Sequence, residues 1–133
     1  MISKKVRVFA FLMTIIGIGA GIAGYVKPEL VVPGFMSSTA AHQTMAMMFA
    51  GRNLIMGVAM FFVGIAGVPE TFALIFAIRF FIELQDVVAI ITYAPTLSAV
   101  LPMVVSIGII MIFEVWVVIA MWGIIRKRSA GMR

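Results

Sequence analysis

The chain has 133 residues, no cysteine, one histidine, five acidic residues and charge at only 11% of its positions. Without cysteine there is no disulfide, no thiolate nucleophile and no thiolate-held metal. Several enzyme signatures are also missing: no HExxH pair, no Gly-x-Ser-x-Gly elbow and no glycine-rich phosphate loop. The single histidine, His42, precedes an apolar run and reads as an interfacial, solvated residue. Charge is scarce because apolar material is abundant. Hydrophobic residues make up 64% of the chain and mean hydropathy is +1.22, too much for the polar surface of a soluble domain to offset. The expected class is an integral membrane protein.

About 20 apolar residues suffice to cross the hydrocarbon core, and the chain contains four such runs, over 8–26, 45–66, 72–93 and 97–125. Their breaks carry turn chemistry. "GYVKPELVVPGFMSSTAAHQT" has two prolines and a Pro33-Gly34 turn signal, while "GVPET" sets Gly67 where a helix stops and Pro69 at the first turn of the next. In "YAPTLSAVLP", Pro95 is a breaker and Thr96 or Ser98 a helix cap. The runs are long, continuous and rich in Leu, Met, Ala and Ile, which excludes alternating membrane strands. The expected fold is all-α: one transmembrane domain over residues 1–133, built as a four-helix bundle.

Lysine and arginine set the expected orientation. Lys4, Lys5 and Arg7 lie at one end, and Arg126, Lys127, Arg128 and Arg133 at the other. Four spans bring both ends to one side, and the positive-inside rule makes that side the cytoplasm of a cell inner or plasma membrane. The first run also has the outline of a secretory signal; its length and the matching of the two basic ends favour an uncleaved helix. Anionic lipid headgroups are the natural partner of these ends. No nucleic-acid partner is expected, because the basic residues form short tails. Gly17 and Gly21 make a GxxxG pair, which fits either close packing within the bundle or a homo-oligomer seam. Twelve methionines raise the question of copper, a soft-ligand metal. Lacking cysteine and any cluster beyond "MAMM" at 45–48, they read instead as filler or as the lining of an adaptable pocket. No metal or cofactor is expected.

Five ionisable residues fall inside the runs: Arg52, Arg79, Glu83, Asp86 and Glu114. Positions 79, 83 and 86 follow i, i+4, i+7 spacing and share one helix face. Arg52 shares a face with Met48 and Met56, with Asn53 at its edge, and Glu114 sits in a stripe with Met103, Ile107, Met111, Val118 and Met121. Taking a rise of about 1.5 Å per residue, Arg52 and Asp86 lie at about 10 Å from the outer edge, and Arg79 and Glu114 at about 20–25 Å. Depth therefore pairs Arg52 with Asp86 and Arg79 with Glu114, leaving Glu83 to share Arg79 one turn away. Two arginines against three carboxyl groups leave one negative charge in excess, which favours a proton retained among the acids, Glu83 first. Glu70, in a first turn, complements the helix dipole.

The segments "KPELVVPGF", "AGRNLIMGVAMFFVG" and "RFFIELQDVV" together resemble the DoxX-like superfamily of small four-helix membrane proteins. The resemblance is carried by Pro28, Phe35, Gly51-Arg52-Asn53-Leu54, Arg79 and Asp86. It implies an architecture similar to membrane sterol isomerases and some membrane terpene cyclases, which move protons on a lipophilic substrate held among helices. Two functions follow as expectations. In one, a polar pocket binds a lipophilic small molecule, with Asp86, Glu83 or Glu114 as proton donor or acceptor. Arg52, Asn53 and Arg79 would then orient the substrate, beside Met56. In the other, the ion pairs are structural and the protein is a non-enzymatic membrane subunit.

Overall fold

Each expected run lies within one α-helix. In this computed structural model, which describes residues 2–28, 40–93 and 96–131, the elements are α1 (Lys4–Val26), α2 (Ala40–Ala66), α3 (Pro69–Tyr93) and α4 (Leu97–Gly131). No strand occurs among the described residues. The turn signals Pro33-Gly34 and Pro95, and Phe35, fall outside the described residues, as does the side chain of His42.

The α2–α3 junction follows the sequence logic closely. Gly67 adopts φ 65°, the left-handed conformation that ends a helix and that a side chain disfavours. Pro69 opens α3, where its missing N–H leaves no helical bond unmade, and the Phe72 amide donates to the Val68 carbonyl at 3.1 Å to start the ladder. Glu70 lies in the first turn of α3, as expected from the helix dipole. α4 runs to Gly131, beyond the expected stop at 125. Arg126, Lys127 and Arg128 are therefore on an exposed helical turn rather than in a tail.

Three helices are long and apolar enough to cross a membrane, α1, α2 from Ala46 onward and α4 from Val100 onward, so this is a membrane protein. α3 differs from the expectation of four equivalent spans. Its 25 residues are long enough, but every 18-residue stretch of it includes Arg79, Glu83 and Asp86. The shortfall is one of charge, not of length.

The helices form two compact units, α1–α2 (Lys4–Ala66) and α3–α4 (from Gly67, with residues 2–3 grouped alongside). In the first, the backbones of α1 and α2 meet at small residues. A Cβ on Gly17 would lie 3.0 Å from Gly57 Cα, one on Gly21 2.8 Å from the Leu54 backbone nitrogen, and one on Gly24 2.9 Å from Ala50 Cβ. The partner residue steps backward as α1 advances, which is antiparallel packing. The Gly17/Gly21 face is thus occupied by α2 of the same chain, the intrachain alternative of the two considered for the GxxxG pair. The seam reads as two stripes of small residues spaced seven apart, Ala10, Gly17 and Gly24 against Ala50, Gly57 and Gly64.

In the second unit the buried faces are different in kind. α3 buries Phe72, Phe76 and Arg79, and α4 buries Glu114, Val117 and Met121. Both series follow the i, i+3/i+4, i+7 rhythm of a single helix face. The expected α4 stripe is correct around Glu114 and Met121, but the fully buried valine is Val117 rather than Val118.

Candidate functional site

α3 and α4 pack against each other, so two residues 35 apart in sequence face each other across the pair. There Arg79 Nε donates to Glu114 Oε1 at 2.6 Å, and Arg79 Nη2 donates to Glu83 Oε1 one turn along α3. The pairing that depth arithmetic predicts for Arg79 and Glu114 is present, and Glu83 shares the same guanidinium, as expected for the extra carboxylate.

Burial grades these three groups. Glu114 is 0% exposed and Arg79 4%, whereas the Glu83 side chain retains 14%. Charge-assisted bonds of this length are the strong ones, and in apolar surroundings they are screened little. The inventory is nevertheless unbalanced, with two carboxyl groups on one guanidinium. One consequence is visible at Glu114. Its second oxygen, Oε2, is buried and has no hydrogen-bond partner among the described residues. A buried polar atom in this condition costs about 1–3 kcal/mol unless something supplies a donor.

An apolar groove of about 350 Å³ lies on the adjoining side of the hairpin, lined by Phe80, Gly108, Met111, Ile112 and Val115. Gly108 opens it, since a Cβ there would meet nothing within 4 Å. Met111, which lines the groove, is one helical turn from Glu114 on α4, and Val115, also in the lining, is the immediate sequence neighbour of Glu114. The sequence gives little warning of this groove; its only signal is a glycine in the middle of a long apolar helix.

Asp86, half-buried, continues the α3 face that carries Arg79 and Glu83. Arg52, Asn53 and Met56 belong to the α1–α2 unit, each half-buried. The Arg52 guanidinium carbon stands 5.2 Å from the Phe49 ring centroid, a cation–π distance. Asn53 Nδ2 donates to the Phe49 carbonyl at 2.9 Å, and the Asn53 backbone carbonyl abuts Gly17. Asn53 is therefore engaged in its own helix and in the glycine seam. Among the described residues no group of three or more His, Cys, Asp or Glu is arranged to hold a metal ion. Neither a protein-family model nor a curated protein nor a solved structure shows a significant match to this chain.

Proposed function

We propose that the protein binds a lipophilic small molecule bearing a hydroxyl or another hydrogen-bond donor. The apolar body would lie in the α3–α4 groove and the donor would reach past Met111 to Glu114 Oε2. The unpartnered, fully buried oxygen carries the reading, and the adjoining apolar groove supplies the class of ligand. Methionine at the threshold suits such a passage because its three rotatable bonds let it swing aside. Arg79 holds Oε1 and so fixes which way Oε2 points. Acid–base chemistry on the bound donor is the natural extension, with Glu114 nearest and Glu83 and Asp86 able to exchange a proton along the α3 face.

We propose further that both termini lie at the cytoplasmic side of a cell inner or plasma membrane, with α3 as the fourth crossing. Its charge is the objection, and the bonds of Arg79 to Glu83 and Glu114 answer part of it by neutralising the guanidinium within the hairpin. Reporter fusions at each terminus test this: opposite sides for the two ends would remove α3 from the membrane.

The test of binding is extraction of the purified wild-type protein followed by mass spectrometry of co-purified lipophiles. Glu114→Gln presents an amide N–H₂ as well as an oxygen to the ligand and should lower occupancy at least tenfold. Asp86→Asn and Glu83→Gln should leave binding in place and slow any turnover of the recovered compound. A wild-type protein that carries no such compound would refute the reading. The second reading, a membrane subunit with structural ion pairs, draws on the same burial of Arg79 and Glu114. It predicts that replacing all three groups of the cluster by apolar residues leaves the protein's cellular role intact.

A further inference from the structure

The glycine seam of the first hairpin closes at one end and opens at the other. At Gly57 a Cβ would strike the Ile18 backbone nitrogen at 2.7 Å, yet at Gly64, seven residues on, a Cβ would meet nothing within 4 Å. The helices leave room there for a groove of about 330 Å³ between the first half of α1 and the last turns of α2. Phe11, Met60, Phe61 and Ile65 give it apolar walls, Gly64 leaves its side open, and Arg7 stands at its rim. Thr14 closes the deep end, but its hydroxyl bonds the Ala10 carbonyl at 3.0 Å, within its own helix. From Arg7 to Thr14 the groove is about 10 Å long at the helical rise.

Both walls belong to helices long and apolar enough to cross a membrane, so the apolar part of the groove faces acyl chains and Arg7 stands at headgroup level. The charge at this end of the hairpin has one sign: Lys4, Lys5 and Arg7 cluster in the first turns of α1, and the described residues of the hairpin include not one acid. A guanidinium pairs with a phosphate through two parallel bonds, and each basic residue near an anionic membrane surface contributes about 1 kcal/mol. We infer that this groove is a binding site for one anionic phospholipid, its phosphate on Arg7 and an acyl chain along Phe11, Met60, Phe61 and Ile65. The site is separate from the Arg79 cluster and does not depend on the function proposed for it.

Native mass spectrometry of the full-length protein in detergent, titrated with phosphatidylglycerol or phosphatidylcholine, tests the inference. The wild type should retain one phosphatidylglycerol in preference to phosphatidylcholine. Arg7→Gln should weaken that binding about fivefold. Gly64→Leu, which fills the groove without touching a charge, should weaken both lipids. Lys27→Gln removes the same charge at the opposite end of the hairpin and should change nothing. Equal retention of the two lipids by the wild type would overturn the site, as would Gly64→Leu binding phosphatidylglycerol like the wild type. So would displacement of the bound species by inorganic phosphate, which would mark a bare anion site. A wild-type dimer that Gly64→Leu converts to monomer, with no lipid retained, would assign the groove to a second copy of the chain and likewise overturn it. Circular dichroism of each variant confirms that the helices are intact.

Discussion

Between α1 and α2 the backbones meet at glycine, whereas between α3 and α4 a guanidinium stands between two carboxyl groups. Both are solutions to the same difficulty, that lipid is as apolar as a leucine side chain and gives helices no hydrophobic reason to associate. The first hairpin gains close van der Waals approach by having no side chains in the way. The second gains charge-assisted bonds that hydrocarbon cannot compete for. They differ in what is left over. A glycine seam satisfies itself and leaves no chemistry behind. One arginine between two carboxyl groups leaves an acceptor over, and the Glu114 Oε2 atom is where it appears. The proposed ligand site accordingly belongs to the second hairpin, and the lipid site inferred for the first lies where its seam opens.

The contrast breaks most visibly at Arg79. Arg79→Met removes the cation that bridges Glu83 and Glu114 and leaves the two carboxyl groups without it, one of them fully buried. Removal of one member of a buried ion pair costs about 3–5 kcal/mol, read as a lower unfolding midpoint in detergent. Adding Glu83→Leu and Glu114→Leu to the same chain should restore most of that loss, because well-packed apolar groups substitute for a buried triad without penalty. A triple variant as unstable as Arg79→Met would mean that shape, not charge, holds α3 to α4.

The two carboxyl groups should then separate from each other. Glu114 is 0% exposed and bonded at 2.6 Å through Oε1, so Glu114→Gln should cost about 1–3 kcal/mol. Glu83, with 14% of its side chain still accessible, should cost less when changed to Gln, because the group is less completely removed from solvent donors. Equal costs from the same denaturation curves would show that burial does not distinguish them.

On the glycine side, Gly57→Ala drives a methyl group into the Ile18 backbone at 2.7 Å. Backbone atoms cannot swing away as the end of a long side chain can, and the expected cost is about 1–3 kcal/mol. The readout is again the unfolding midpoint, with Gly19→Ala as reference, since a Cβ there meets nothing within 4 Å.

How much of this could be read beforehand follows from what each feature depends on. The pairing of Arg79 with Glu114 needs only helical rise and a depth for each residue, and both are functions of sequence position. The shared face of Arg79 and Glu83 needs only the period of 3.6. The GxxxG pair at Gly17 and Gly21 announced a close approach but not its partner. Gly57 identifies the partner only when the seven-residue spacing of small residues in both helices is matched, a longer pattern than the four-residue motif. The two grooves were not legible at all. Each opens beside a glycine, Gly64 or Gly108, but Gly57, in the same helix as Gly64, is tightly closed, while Gly123, in the helix of Gly108, is open and lines neither groove. Whether a glycine marks contact or vacancy depends on the path of the neighbouring backbone, which no local pattern encodes.

The smallest effect follows from that same point and tests it most directly. Gly64 and Gly57 occupy equivalent positions of one stripe, and sequence alone would treat Gly→Ala at either as the same event. The structure gives them opposite signs. At Gly64 the new methyl group meets nothing within 4 Å, so no overpacking term arises. What remains is the backbone entropy that alanine saves in a helix, worth up to about 1 kcal/mol of stabilisation. Gly64→Ala should therefore raise the unfolding midpoint slightly, while Gly57→Ala lowers it. A midpoint that falls at both positions would mean that the seam stays closed along its whole length and that the gap beside Arg7 does not exist, removing the lipid site with it.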